Sequence, residues 1–293
     1  NFVRNRQTRV ATVSFWCFSL SLSTMDPEDM GLAASGGASL SVAQRAALQV
    51  AFPILTHNYH LNETLLLGRI LAKTNDYFIA IGLAKDNFLQ KKTYFFSTDA
   101  VAWAQLPKAT PAMTAAAAAL PYNLLLTGDA SHVYSVAAAD DGGDESAEPT
   151  TLTEEERLAV LVEQLDTEVA IAPKGALTME ANLAVKRVRG WGHIYSSERD
   201  YGSLSSYVMI NQTRPADVLA SPIEQSLDAL MPADSIMPKN TLCVLTDAPT
   251  GVTTVRNLAW PGAVGFAKPG SGSWGYCYFG TGVKNHDVPF MLP

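Results

Sequence analysis

Cysteine is scarce in this chain: among 293 residues there are three, Cys17, Cys243 and Cys277. They make no disulfide framework and no CxxC pair, a usage that favours a reducing compartment. Net positive charge is missing too, since 21 basic residues face 28 acidic ones and leave −7. Without a basic field there is little to neutralise phosphates, which argues against a dedicated nucleic-acid binder. No apolar run approaches the roughly 20 residues that a membrane-spanning helix needs, so the body is expected to be soluble. Nor is the chain short of hydrophobic residues, at 47%. That excludes a wholly disordered polymer and provides for a sizeable core.

The charge that is present is unevenly placed. Residues 140–168 hold eleven acids and the single base Arg157, while Arg4, Arg6 and Arg9 stand before any acid; the rest of the chain sums to zero. The early arginines precede an apolar stretch from Val10 to Leu20. Two readings are open for it: a signal peptide, or an upstream extension with Met25 as the true start. Gly31 to Ser39 is small and Gly-rich, so residues 1–38 read as a leader and flexible segment and 39–293 as the folded domain. Asp140 to Pro149 has acids, paired glycines and a proline with no apolar anchor, which predicts a disordered acidic loop near 138–152.

Helix signals are well defined. Ser41 with Gln44 is a capping box, and the helix it opens is expected to stop near Phe52, before Pro53. The alanine-rich segment at 115–119 extends a short helix bounded by Pro111 and Pro121. Thr153 caps Glu154, Glu155 and Glu156, and Leu158, Leu161, Val162 and Leu165 follow as a buried stripe. The acids of this helix are expected to solvate one face and favour the helix start. Ser221-Pro222-Ile223-Glu224 predicts another helix with Leu227 and Leu230 on its apolar face, ended by Pro232. Strands are expected at 65–71 and 77–83 as a hairpin with Gly68 and Gly82 at close approaches, then at 93–96, 169–172 and 207–211. A meander should follow at 242–246, 252–258, 263–267 and 274–279. The fold class is α+β, mainly antiparallel sheet with a few short capped helices.

Motifs that could carry chemistry are weak. Gly270-Ser271-Gly272-Ser273-Trp274-Gly275 matches G-x-G-x-x-G, but β-formers follow where a dinucleotide site needs a helix. This loop carries the alternative reading, a nucleotide-binding protein or enzyme. His57, His60 and Glu63 share a spacing of three without a fourth metal ligand nearby. Lys186, Arg187 and Arg189 beside Trp191 make one short basic patch, read as a solvated strand edge or a contact for an acidic partner. Asn62-Glu63-Thr64 and Asn211-Gln212-Thr213 are glycosylation triplets of the kind that arise by chance. Trp274, Tyr276 and Tyr278 share one face of a strand, as core or as a partner surface. These residues make no enzyme, and no metal or cofactor is expected.

Three blocks, taken in order, do resemble a known family. The first runs from Gly68-Arg69-Ile70-Leu71 through Asp76-Tyr77-Phe78-Ile79-Ala80-Ile81-Gly82-Leu83 to Trp103-Ala104-Gln105-Leu106-Pro107. The second is Glu168-Val169-Ala170-Ile171-Ala172-Pro173-Lys174-Gly175-Ala176-Leu177. The third joins Leu258-Ala259-Trp260-Pro261-Gly262 to Gly275-Tyr276-Cys277-Tyr278-Phe279-Gly280-Thr281-Gly282 and ends at Asp287-Val288-Pro289-Phe290-Met291-Leu292. Together they resemble the radial spokehead-like family over residues 41–293. The resemblance implies a non-catalytic subunit of the radial spoke head, placed in the cytoplasm and cytoskeleton, in the axoneme of motile cilia and flagella. It implies that the head relays mechanical signals from the central pair to the dyneins. Expected partners are the related head proteins 4 and 6, other head subunits and, through the assembled head, the central-pair projections, with no nucleic acid and no membrane. Structural or interface roles are expected for Trp260, Pro261, Gly262, Trp274, Tyr276, Tyr278, Gly280 and Gly282, with the glycines supplying positive φ or close backbone approach.

Overall fold

The computed structural model describes residues 29–85, 87–89, 92–136, 150–188, 191, 201–214 and 229–291. Within them lie fifteen strands and four α-helices in mostly antiparallel sheets, the α+β class expected. The chain begins with a 3-10 segment, Asp29–Gly36, and helix α1, Val42–Asn58. Strands β1 (Glu63–Ile70), β2 (Tyr77–Leu83), β3 (Thr93–Ser97) and β4 (Ala104–Gln105) follow as an antiparallel meander. Helix α2, Pro111–Ala118, leads to the pair β5 (Val133–Val136) and β6 (Thr150–Thr153), and β6 runs directly into helix α3, Glu154–Val169. Next come β7 (Ile171–Pro173), the hairpin β8 (Leu177–Met179) and β9 (Val185–Arg187), then β10 (Tyr207–Thr213) and β11 (Leu230–Pro232). The last four strands are β12 (Leu242–Asp247), β13 (Val252–Asn257), β14 (Ala263–Lys268) and β15 (Ser273–Gly280), before the short α4, Val288–Met291.

One eight-stranded sheet organises the molecule, in the order β12-β13-β14-β15-β1-β2-β3-β4. The C-terminal and N-terminal meanders meet where β1 pairs parallel to β15, Gly68 opposite Tyr278 and Ile70 opposite Gly280. A parallel pair requires a long crossover, and here everything from β2 to β14 makes it. Leu67 is an extra residue in β1, since the register with β2 shifts between Leu66 and Gly68. A Cβ on Gly68 would lie 2.0 Å from the Tyr278 carbonyl oxygen, so the seam closes only around glycine.

Strand alternation divides the core. Leu65, Ile79, Ile81, Trp274, Tyr276 and Tyr278 pack with α3 and with the three-stranded sheet β11-β10-β7. Leu66, Phe78, Ala80, Phe266 and Cys277 pack instead with α1 and the 3-10 segment. Because both faces are covered, β2 is buried at all seven positions and reads as a continuous apolar run.

Several expectations change. Ser41 caps α1 as the pattern requires, accepting from the Gln44 amide while its own amide donates to the Gln44 side chain. The helix nevertheless continues through Pro53 to Asn58. Proline removes only one donor, and burial of Leu55 beyond it keeps the last turn on the sheet. Residues 29–38, read as flexible from composition, bury Ala33 and Ala38 against Val264 and Phe266, while residues 1–28 lie outside the described residues. Most of the expected acidic loop also lies outside them, but Thr150, Thr151 and Leu152 pair with Val136, Ser135 and Tyr134 respectively as strand. The helix expected at Ser221 falls outside the described residues. Leu230, assigned to its face, is instead in β11, an edge strand where Pro232 is tolerated.

Candidate functional site

Helix α3 ties the sheet to the layer beneath it. Thr153 and Glu156 form a reciprocal cap, the Thr153 hydroxyl accepting from the Glu156 amide and the carboxylate accepting from the Thr153 amide at 2.9 Å. Leu158, Val162 and Leu165 are buried as their spacing predicts. Contrary to expectation, two of the helix acids are buried rather than solvating a face. Glu154 has no solvent exposure and accepts five hydrogen bonds. They come from the hydroxyls of Tyr77 (2.7 Å), Tyr134 (2.6 Å) and Thr127 (2.6 Å) and from the amides of Thr127 (2.8 Å) and Gly128 (2.7 Å). Burial alone would push this carboxyl up; the donors from Thr127, Tyr134 and Tyr77 outweigh burial and bring it down to about 2.

Asp166, three turns further on, makes a second knot. It accepts from the hydroxyls of Tyr276 (2.8 Å) and Tyr94 (3.1 Å), and from the Asn211 amide (3.1 Å), and is ion-paired to the Lys92 ammonium. Burial first, and then the Asp166 charge, push the Tyr276 hydroxyl far above its ordinary value, so it stays a donor. The Asn211 amide also donates to the Asp166 carbonyl at 2.6 Å, which commits this side chain of the second glycosylation triplet to the interior network.

The third acid, Glu168, reaches the turn singled out in the sequence. Its carboxylate accepts from the Trp260 indole (2.7 Å), the Lys284 ammonium (2.6 Å) and the Gln164 amide (3.2 Å). Burial raises this carboxyl, and the donors from Lys284, Trp260 and Gln164 more than reverse that. Trp260 also stands edge-on to Tyr278 with centroids 6.3 Å apart, under the Lys284 ammonium. The Trp260-Pro261-Gly262 turn closes through the Ala263 amide on the Trp260 carbonyl, and Gly262 accepts from the Phe279 amide at 2.8 Å. Gly262 has φ +100°, and a Cβ there would lie 2.1 Å from the Phe279 carbonyl oxygen. A Cβ on Gly280 would lie 2.2 Å from the Pro261 carbonyl oxygen, so the two glycines face one another across a contact with no room for a side chain.

The structure therefore brings Trp260, Pro261, Gly262, Tyr278, Gly280 and Gly282 together, Gly282 donating its amide to the Tyr278 hydroxyl at 2.8 Å. Trp274 and Tyr276 lie further along β15, both buried in the core under α3 and β7. Of these residues Pro261 is exposed, and it borders an open groove of about 710 Å³ with Tyr122, Thr281, Lys284, His286 and Asp287. The rest of the constellation is buried or half-buried.

Other candidates take structural positions. Residues 269–271 make a 3-10 turn and Gly272 a left-handed cap between β14 and β15, so the glycine loop is a hairpin turn with no helix start to meet a phosphate. Among the described residues no three His, Cys, Asp or Glu side chains converge to hold a metal, and Glu63 pairs with Arg187 at 3.5 Å. Arg187 lies over the rings of Phe88 and Trp274, so this part of the basic patch turns inward; Lys186 pairs with Glu180 at 2.8 Å. Arg189 lies outside the described residues. No helix among the described residues is long and apolar enough to cross a membrane.

Sequence reasoning missed Asp166, Glu154, Glu168 and their partners Lys92 and Lys284. One signal was available: Leu158, Val162 and Asp166 are spaced by four, which puts the aspartate on the apolar stripe.

No family model matches the chain. Individual proteins do match nearly end to end. It is similar to the radial spoke head protein 9 homolog of Danio rerio, 33% identical over 272 residues, covering 90% of this chain and 97% of the relative. It is likewise 32% identical over 271 residues to the radial spoke head protein 9 homolog of Mus musculus, covering 89% and 96%. The Bos taurus homolog of the same name is 31% identical over 283 residues, covering 92% and all of its length.

Proposed function

This chain belongs to the radial spoke head protein 9 family, and from that premise we propose that it is a non-catalytic structural subunit of the radial spoke head. Its place is the axoneme of the motile cilium or flagellum. There it would bind the related head proteins 4 and 6 and support the transmission of mechanical signals from the central pair to the dyneins. The observation that carries the reading is coverage: a third of positions are identical across 97% of a relative's length, so the likeness spans the whole fold.

The geometry agrees with a role in holding shape. The buried carboxylates Glu154 and Asp166 are each held by several partners inside the fold, which rigidifies them. The Trp260 turn packs against β15 and α3 through contacts that admit no added atom. We expect Gly262→Val and Gly280→Val each to abolish incorporation into spokes, because either Cβ meets a carbonyl oxygen near 2 Å. Quantifying each variant in spokes purified from axonemes of cells lacking the wild-type protein tests this. Normal incorporation of both would sink the structural role given to the turn. Absence of the wild-type chain from purified heads would sink the spoke-head assignment itself.

A further inference from the structure

Helix α1 is apolar on both sides. Leu48, Ala51, Phe52 and Leu55 face the sheet and are buried. Yet the outward side also carries Val42, Ala46, Val50 and Ile54, with Val42 75%, Val50 66% and Ile54 54% exposed. In all 17 residues Arg45 is the sole Lys, Arg, Asp or Glu. A helix with one side in water ordinarily places charged residues there, and an apolar surface kept on the outside marks an interaction site.

The pattern specifies what can cover it. Val42, Ala46, Val50 and Ile54 are spaced by four and form a single i, i+4 ridge. Such a ridge seats in the groove between the corresponding ridges of another α-helix. Since the ridge has no charge, a facing charge would be stripped of water without a partner, so the complementary surface must be charge-free as well. Area decides between a second copy and a different chain. At 1.5 Å per residue and about 10 Å across, α1 offers a footprint of about 250 Å². A stable standalone interface needs about 800 Å² per partner, so two α1 ridges would not hold a free dimer. The contact suits a neighbour already held by other surfaces of a multi-subunit assembly.

We infer that the outward ridge of α1 docks the charge-free face of an α-helix from another subunit of the spoke head. This rests on the spoke-head reading above. Three full-length variants test it. Val50→Asp and Ile54→Asp place a carboxylate on the ridge without touching the buried side, and Val50→Leu keeps it apolar. As purified chains all three should melt like the wild type and sediment as monomers. In spokes purified from cells lacking the wild-type protein, Val50→Leu should incorporate normally. Each aspartate variant should fall by about tenfold or more relative to the other head subunits, the factor that corresponds to ~1.4 kcal/mol. A photo-cross-linking residue at position 50 of the otherwise unaltered chain should join it to a different head subunit, a readout that stands even if an aspartate variant melts early.

Wild-type incorporation of both aspartate variants would overturn the docking site while leaving the spoke-head reading intact. So would a cross-linker that captures nothing. A concentration-dependent wild-type dimer lost in Val50→Asp, or a cross-link only to a second copy, would overturn the choice of partner. A wild-type chain missing from the spokes would overturn the reading beneath it.

Discussion

Glu154 is where a single residue carries the largest expectation. Its carboxyl is held down to about 2 from an ordinary 4.5, the net of burial pushing up and its donors pulling down. The folded state therefore favours the charged form, and its contribution is complete above the ordinary value. That contribution is lost as pH falls from about 5 towards 2, a total of about 3 kcal/mol. Glu154→Gln should cost about that much at neutral pH, because an amide cannot accept from three hydroxyls and two amides at once. It should also flatten the acid limb of the stability curve. Glu168, lowered in the same direction, leaves a smaller slope behind. Urea midpoints of both proteins at neutral pH and near pH 3 provide the check; parallel curves would remove Glu154 as the source of acid sensitivity. At this scale the sequence was legible for the glycines and opaque for the acids. Gly262 announces a tight approach by its type, whereas an acid after an N-cap reads the same whether it ends in water or in the core.

Among the elements, α3 matters most because Asp166 joins four of them. Tyr276 belongs to β15, Asn211 to β10, Lys92 and Tyr94 lie at β3, and all converge on one helix carboxylate. The Lys92 and Asp166 side chains are 6% and 3% exposed, so neither charge is screened by water. Asp166→Asn should destabilise by about 3–5 kcal/mol, since it strands a buried ammonium. Adding Lys92→Met should recover a large part of that loss. A double-mutant cycle by chemical denaturation measures the coupling; additive losses would show that the pair does not act as a unit. Element identities were largely legible: the caps at Ser41 and Thr153 and the meander strands follow from local pattern. Their ends were less so. Pro53 should break a helix locally, but the packing of Leu55 outweighs one missing hydrogen bond.

For the molecule as a whole, the sheet order sets cooperativity. β15 is last in the chain but lies between β14 and β1, so the N-terminal meander completes its seam with the final strand. A chain ending at Asn240, without β12 to β15, should lose cooperative thermal unfolding altogether, because removing β15 uncovers α3 and strips Asp166 of Tyr276. Circular dichroism melting is the measurement, and a sharp transition in the truncated chain would contradict this account. The same scale revises the charge pattern. The −10 of residues 140–168 is not an acidic surface of that size: within α3, Glu154 and Asp166 are buried, Glu156 caps the helix and Glu168 is paired with Lys284.

The amino-acid sequence by itself determined the class of fold, the helix starts at Ser41 and Thr153, the strand-rich ends and the need for glycine at the Trp260 turn. These depend on neighbours within a few residues, through capping geometry, alternation and steric room for a Cβ. What only the tertiary structure decided was the parallel seam between β1 and β15, the burial of Glu154 and Asp166, and the apolar ridge left outward on α1. Each depends on which distant segment lies opposite: whether a carboxylate meets five donors or meets water is a property of the packed molecule.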